Sequence, residues 1–254
     1  MFHVLLLPGK TVETVMEGTH NMKKNTALAI FILIIISILA AFSLFDKEKE
    51  DKLVVALGDS LTYGYGDENG SGYIDTLKTR LNKQNSEDYN FANEAIYGLE
   101  SSGILTQLSN IMVSSKLNDA DYFILFIGTN DLINSNGGNL KNLQHGKIER
   151  GQEVYLQNLR AIIDTLRERN NEAPILLLGM YNPYPYSERI EFLIHEWNNE
   201  IINTIKEEKQ IVFIPTNDLF KGKGKQEYFS DSLHLNDKGY NLIADRILEK
   251  YKFN

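Results

Sequence analysis

Ser60 ends the apolar run Val54-Val55-Ala56-Leu57-Gly58-Asp59-Ser60-Leu61, where a buried strand would deliver a hydroxyl to the edge of a sheet. A serine hydroxyl is a weak nucleophile until a base takes its proton, and imidazole is the side chain that titrates near neutrality without perturbation. His234 supplies an imidazole, and Asp231, three residues earlier, can reach it from the same loop and fix its tautomer. Asn93 to Gly98 and Gly128-Thr129-Asn130-Asp131 add a glycine N–H and a carboxamide. With the Ser60 N–H, Gly98 and Asn130 are the donor types that stabilise an oxyanion on a carbonyl under attack. Together these groups describe acyl transfer. Each alone has a plainer reading, because Gly-Asp-Ser and Asn-Asp are ordinary turn and cap chemistry and Asp231–His234 suits a solvated loop. Their order, with each at the end of a strand or loop, favours one shared site.

The elements that must position them are legible in outline. Apolar runs at Leu53–Leu57, Tyr89–Ala92, Tyr122–Ile127, Ile175–Met180 and Ile211–Ile214 alternate with helical patterns at Tyr73–Gln84, Ser101–Ser114, Gln152–Arg169, Ser187–Lys209 and Asp237–Tyr251. Four of the five runs are almost continuously apolar, as strands buried on both faces of a parallel sheet should be. Strands alternating with helices predict a three-layer α/β/α domain with right-handed crossovers, whose ligand site lies beyond the carboxyl ends of the strands. Ser60, Gly98 and Asn130 each follow a predicted strand by a few residues, so they should meet at that edge.

Gly58-Asp59-Ser60-Leu61, Asn93-Glu94-Ala95-Ile96-Tyr97-Gly98, Gly128-Thr129-Asn130-Asp131 and Asp231-Ser232-Leu233-His234 resemble, in order, the four sequence blocks of the GDSL esterase/lipase family within the SGNH-hydrolase superfamily. The resemblance spans Val54 to His234 and the closing helix. It implies a flavodoxin-like α/β/α hydrolase with a sheet of about five strands, needing no metal or cofactor and acting on esters or thioesters. Ser60 would be the nucleophile, His234 the base and Asp231 its partner, with Gly98 at the oxyanion position. Glu94-Ala95 and Tyr97 depart from the small residues often found in the second block, which leaves the local pocket shape open. Thr62 stands where a Gly-x-Ser-x-Gly elbow would have its last glycine, so an ordinary α/β-hydrolase elbow fits less well.

Composition narrows the setting. The chain has 254 residues, a net charge of −8 and no cysteine, which argues against a nucleic-acid partner and excludes thiol catalysis and disulfides. The run Ala27–Phe45 carries no charge and, as a helix, would reach roughly 28 Å, close to the thickness of a bilayer core. Lys23 and Lys24 precede it, so the positive-inside rule places the chain beyond Phe45 outside the membrane. Residues 1–21 read as an upstream extension, 22–45 as a signal anchor or signal peptide, 46–52 as a charged linker and 53–254 as the hydrolase domain. The expected location is the cell membrane, single-pass with the domain outside, or the exterior after signal cleavage.

Tyr184 and Tyr186, in Tyr181-Asn182-Pro183-Tyr184-Pro185-Tyr186, follow the fourth predicted strand and are candidates to line a substrate pocket; Pro-fixed loop packing is the equal alternative. Phe192 and Trp197 are expected in the core, and Leu132–Gly151, rich in Asn and Gly, reads as a flap or passive loop beside the site. The function expected is a serine esterase on lysophospholipid-like or other lipid esters. A glycan or cell-wall O-acetylesterase and a non-catalytic lipid- or glycan-binding module on the same fold are the alternatives. An unperturbed imidazole near pKa 6.5 predicts activity that rises through mildly acidic pH and levels off above neutrality.

Overall fold

The computed structural model describes residue 28 and residues 30–37, 51–85 and 87–253. The chain divides into two units, Met1–Lys49 and Glu50–Asn254. In the first, residues 30–37 are helical and expose Leu, Ile and Phe side chains. Among the described residues no helix is long and apolar enough to cross a membrane. The rest of the span expected over 27–45, the extension 1–21 and most of the 46–52 linker lie outside the described residues. Asp51 and Lys52, assigned to that linker, instead begin the first strand, where they pair with Asp88 and Tyr89.

The second unit is an all-parallel five-stranded sheet. Its strands are β1 (Asp51–Gly58), β2 (Asp88–Asn93), β3 (Tyr122–Phe126), β4 (Ile175–Leu178) and β5 (Ile211–Ile214), in the order β2-β1-β3-β4-β5. That order is the flavodoxin-like doubly wound one, whose topological switch falls between β1 and β3. Register runs Ala92–Val55–Phe123–Ile175–Ile211 across the sheet.

Strand side chains alternate between faces. Val55, Leu57, Phe123, Leu125, Ile175 and Leu177 face one layer of helices: α3 (Ser101–Leu108), α4 (Ile111–Asn118), α6 (His145–Arg169) and α7 (Glu188–Ile205). Val54, Ala56, Ile124, Phe126, Leu176 and Leu178 face the other layer, α2 (Gly72–Gln84) and α9 (Asp237–Lys250). Both faces are covered, which explains the continuous apolar runs. The apolar face of α9 is Tyr240, Ile243, Ala244 and Ile247, and its first turn is capped by the Asn236 carboxamide oxygen, which accepts from Gly239 N at 3.1 Å.

Three further expectations change. The helix expected over Ser101–Ser114 is two helices, because Asn110 leaves helical geometry and caps a new start, accepting from Met112 N at 2.9 Å. The segment expected to be a flap or passive loop over Leu132–Gly151 is helical at both ends, with α5 (Thr129–Ser135) at one and two turns of α6 at the other. Buried Asn136 ties the connection between them, donating to Asn142 O and accepting from Gln144 N. Trp197 lies in the core with Ile190, Ile194 and Ile201, but Phe192 is 67% exposed. Two residues past Ile190, it points about 200° round the helix from that stripe.

Candidate active site

The four segments converge beyond the carboxyl ends of β1, β2 and β3. After β1 the chain turns into the single-turn helix α1 (Ser60–Tyr63), whose start is capped by Asp59: Leu61 N donates to Asp59 Oδ1 at 2.9 Å. Ser60 is thereby held at the helix start, nearly buried, with Oγ 2.9 Å from His234 Nε2. His234 Nδ1 lies 2.7 Å from Asp231 Oδ2. Both Leu233 N and His234 N donate to Asp231 Oδ1 at 2.7 Å, so the carboxylate folds its own loop as well as meeting the ring.

Partial burial pushes the Asp231 carboxyl up, but the two backbone N–H groups and the imidazole outweigh it and hold its pKa below the usual carboxylate range. An ionised Asp231 can only accept, so Nδ1 carries a proton, and in the neutral ring Nε2 is left to accept from the Ser60 hydroxyl. That is the protonation state a general base requires.

The 231–234 loop is braced from behind. Tyr181 Oη donates to Leu233 O at 2.9 Å, and Lys225, opening the short helix α8 (Lys225–Tyr228), donates through Nζ to Ser232 O and Pro183 O, each at 2.6 Å. From the front, Gly66 lets the turn after α1 lie against the same loop: a Cβ there would sit 2.2 Å from Ser230 Oγ and 3.0 Å from His234 Cβ.

The second segment continues the β1 ladder past the end of β2, with Glu94 N donating to Ala56 O and Ile96 N to Gly58 O. This carries residues 96–98 alongside the Ser60 turn. Gly98 has φ +75°, which a side-chain-bearing residue adopts at a cost. In the third segment Asn130 Nδ2 donates to Leu99 O at 2.9 Å and to Asp59 Oδ2 at 3.2 Å. It thus joins the residue after Gly98 to the residue before Ser60. Its neighbour Asp131 turns away and accepts from Ser101 N and Oγ, a contact Asn158 supports at 2.9 Å from Ser101 Oγ. Both Asp59 and Asp131 are pushed upward by burial, Asp59 to about 7 with the charge of Asp131 adding to the shift.

A family model for the GDSL-like lipase/acylhydrolase family matches residues 56–242, a span that contains all four segments. The chain belongs to that family. It is a carboxylic ester hydrolase, which sets aside the binding-module alternative. YpmR of Bacillus subtilis is 30% identical over 213 residues, covering 81% of this chain and 84% of that protein. The spore germination lipase LipC of Bacillus licheniformis is 27% identical over 204 residues, covering 76% and 92%. Among solved structures, the lipase Lip_vut3 from a goat rumen metagenome is 26% identical with a TM-score of 0.68, covering 78% of this chain and 97% of that one. The acetylxylan esterase Axe2 of Geobacillus stearothermophilus has a TM-score of 0.64 at 15% identity, covering 80% and 95%; that likeness is one of fold.

Within this GDSL-family domain, the structure separates the tyrosines singled out in the sequence from those beside His234. Tyr184 lies beneath the Lys225 ammonium, 4.5 Å from ring centroid to Nζ. Tyr186 is exposed and lines a separate cavity with Phe192, His195 and Lys221. Tyr65 and Tyr97 are the rings packed on His234, at centroid distances of 4.6 and 6.0 Å. Tyr97 stands out in the sequence only as a departure from the second segment's usual small residues, and Tyr65 carries no motif at all. The one signal available was the position of Tyr97, immediately before Gly98.

Proposed function

We propose that the protein is an extracytoplasmic serine esterase that hydrolyses acyl esters of lipid type. The observation that carries the reading is the continuous relay Ser60 Oγ–His234 Nε2 at 2.9 Å and His234 Nδ1–Asp231 Oδ2 at 2.7 Å. In the first step Ser60 Oγ bonds to the ester carbonyl carbon while its proton passes to His234 Nε2. The N–H groups of Ser60 and Gly98 receive the developing oxyanion, and Asn130 joins them by sharing the amide hydrogen now directed at Asp59. Collapse of the adduct breaks the carbon–alcohol bond, and His234 returns the proton to the departing oxygen. Water then attacks the acyl-serine through the same base and releases the acid.

Lipid-type esters are favoured by the two relatives named as lipases at 26% and 27% identity, whereas the acetylxylan esterase resembles the chain in fold alone. The extracytoplasmic location rests on the uncharged run 27–45 behind Lys23 and Lys24. An alkaline phosphatase fusion after residue 52 should be active in cells; an inactive fusion overturns the location. For the activity, the full chain and Ser60→Ala are compared on p-nitrophenyl acetate, butyrate and decanoate. Turnover that rises with acyl length in the wild type and falls at least 10⁴-fold, as an order of magnitude, in Ser60→Ala is expected. Turnover that survives Ser60→Ala would sink the mechanism, and preference for acetate would sink the lipid assignment.

A further inference from the structure

Tyr65 and Tyr97 come from two different loops, one after α1 and one after β2, yet their rings meet edge to face with centroids 4.9 Å apart. Tyr65 presents an edge contact to the His234 imidazole, and Tyr97 lies nearly parallel to it at 28°. Two aromatic rings closed over a third would normally be buried. These are 46% and 58% exposed, and Ile96 beside them is 47% exposed. The outer surface of the pair is therefore an apolar wall open to solvent at the edge of the reacting groups.

The chemistry of ester cleavage says which part of a substrate must meet that wall. In the tetrahedral adduct on Ser60, the former carbonyl oxygen points to the N–H donors, and two groups remain, the acyl chain and the alcohol. His234 Nε2 has to protonate the alcohol oxygen as the carbon–oxygen bond breaks, so that oxygen must come within hydrogen-bond reach of the imidazole. The acyl carbon chain has no such constraint. The rings packed on His234 stand beside the group that the departing alcohol must reach.

We propose that Tyr65 and Tyr97 form the alcohol-side subsite of this esterase and select esters whose alcohol carries an apolar or ring-shaped body next to the ester oxygen. The assignment rests on the serine-esterase reading of the same site. Aromatic faces contact such a body by dispersion without needing a fixed hydrogen-bond pattern, and a methyl or ethyl alcohol offers them far less surface.

The test measures kcat/KM of the full chain, Tyr65→Ala, Tyr97→Ala and the two Tyr→Phe variants on two ester series. One series holds the acid as butyrate and varies the alcohol from methyl to cyclohexyl to benzyl. The other holds the alcohol as methyl and lengthens the acid from butyrate to octanoate. The Ala variants are expected to lose about tenfold on the cyclohexyl and benzyl esters, and about twofold or less on every methyl ester. The Phe variants should stay near wild type on all of them. An equal loss on every ester would show that the rings only hold His234, and a loss that follows acid length would place the acyl chain there; either overturns the subsite. Thermal unfolding of each variant identifies any that does not fold, and Tyr97→Ala, the more exposed ring, carries the test if Tyr65→Ala is unstable. Absence of Ser60-dependent turnover in the wild type would bring down the esterase reading itself, whereas Ser60-dependent turnover with flat ratios brings down the subsite alone.

Discussion

Two aspartates flank the Ser60–His234 pair, and their surroundings drive them in opposite directions. Asp59, the residue before Ser60, is 1% exposed; burial and the nearby Asp131 push its pKa up to about 7. Asp231, the partner of His234, is close to half exposed, and two backbone N–H groups with the imidazole hold its pKa below the usual range. The first caps α1 and receives the Asn130 carboxamide, so it ties two segments of the site together. The second stays ionised, which fixes the imidazole proton on Nδ1. Residue type alone does not assign a role here; the depth of burial, set against the donors around each carboxyl, does.

The largest effect should come from breaking the ionised side. Asp231→Asn keeps the side-chain shape but no longer requires the proton on Nδ1, and kcat/KM should fall by roughly 10²–10⁴ with little change in fold. A loss of less than tenfold would show that Asp231 only shapes its loop. Between the extremes lies the brace. Lys225→Met removes the donor to Ser232 O and Pro183 O while leaving Asp231 and His234 intact, so kcat should fall by about tenfold with the preference among esters unchanged. A change in that preference would place Lys225 in contact with substrate.

The smallest effect on rate is expected on the neutral side, where the consequence is stability. Below the ordinary carboxylate pKa, Asp59 is protonated in both folded and unfolded chains. As pH rises from about 4 to about 7, the unfolded chain releases the proton while the folded chain retains it. Asp59 therefore costs stability progressively across that window, and the cost is complete above it. Asp59→Asn removes the titration, so urea unfolding should show the variant gaining on the wild type between pH 4.5 and pH 8, on the order of 1–4 kcal/mol. Parallel pH curves for the two proteins would contradict the raised pKa. Asp231 acts with the opposite sign, adding stability above the ordinary carboxylate pKa that is lost as pH falls through its lowered value.

Much of this was legible in the sequence. The strands were readable because burial on both sheet faces leaves almost uninterrupted apolar runs such as Val54–Leu57 and Phe123–Ile127. Ser60, His234 and Asp231 were readable because each lies in a short segment of fixed spacing, and the structure brings them into hydrogen-bond contact. What the sequence concealed were contacts made across the sheet edge. Tyr65 and Tyr97 are 32 residues apart and meet only because residues 94–96 extend the β1 ladder beside the Ser60 turn. Lys225 looks like a solvated surface charge until the fold sets it under two carbonyls and over the Tyr184 ring. The helix break at Asn110 was likewise hidden, since a capping residue and a helix-interior asparagine look alike without the ψ angle.

The central claim is that Ser60 is the nucleophile activated by His234, and direct trapping tests it. The full chain is treated with a fluorophosphonate, digested, and the modified peptide mapped by mass spectrometry, beside Ser60→Ala and His234→Ala. A single adduct on Ser60, absent from Ser60→Ala and formed at least 100-fold more slowly, as an order of magnitude, in His234→Ala, is the expected result. An adduct on another residue, or equal labelling rates with and without His234, would contradict it.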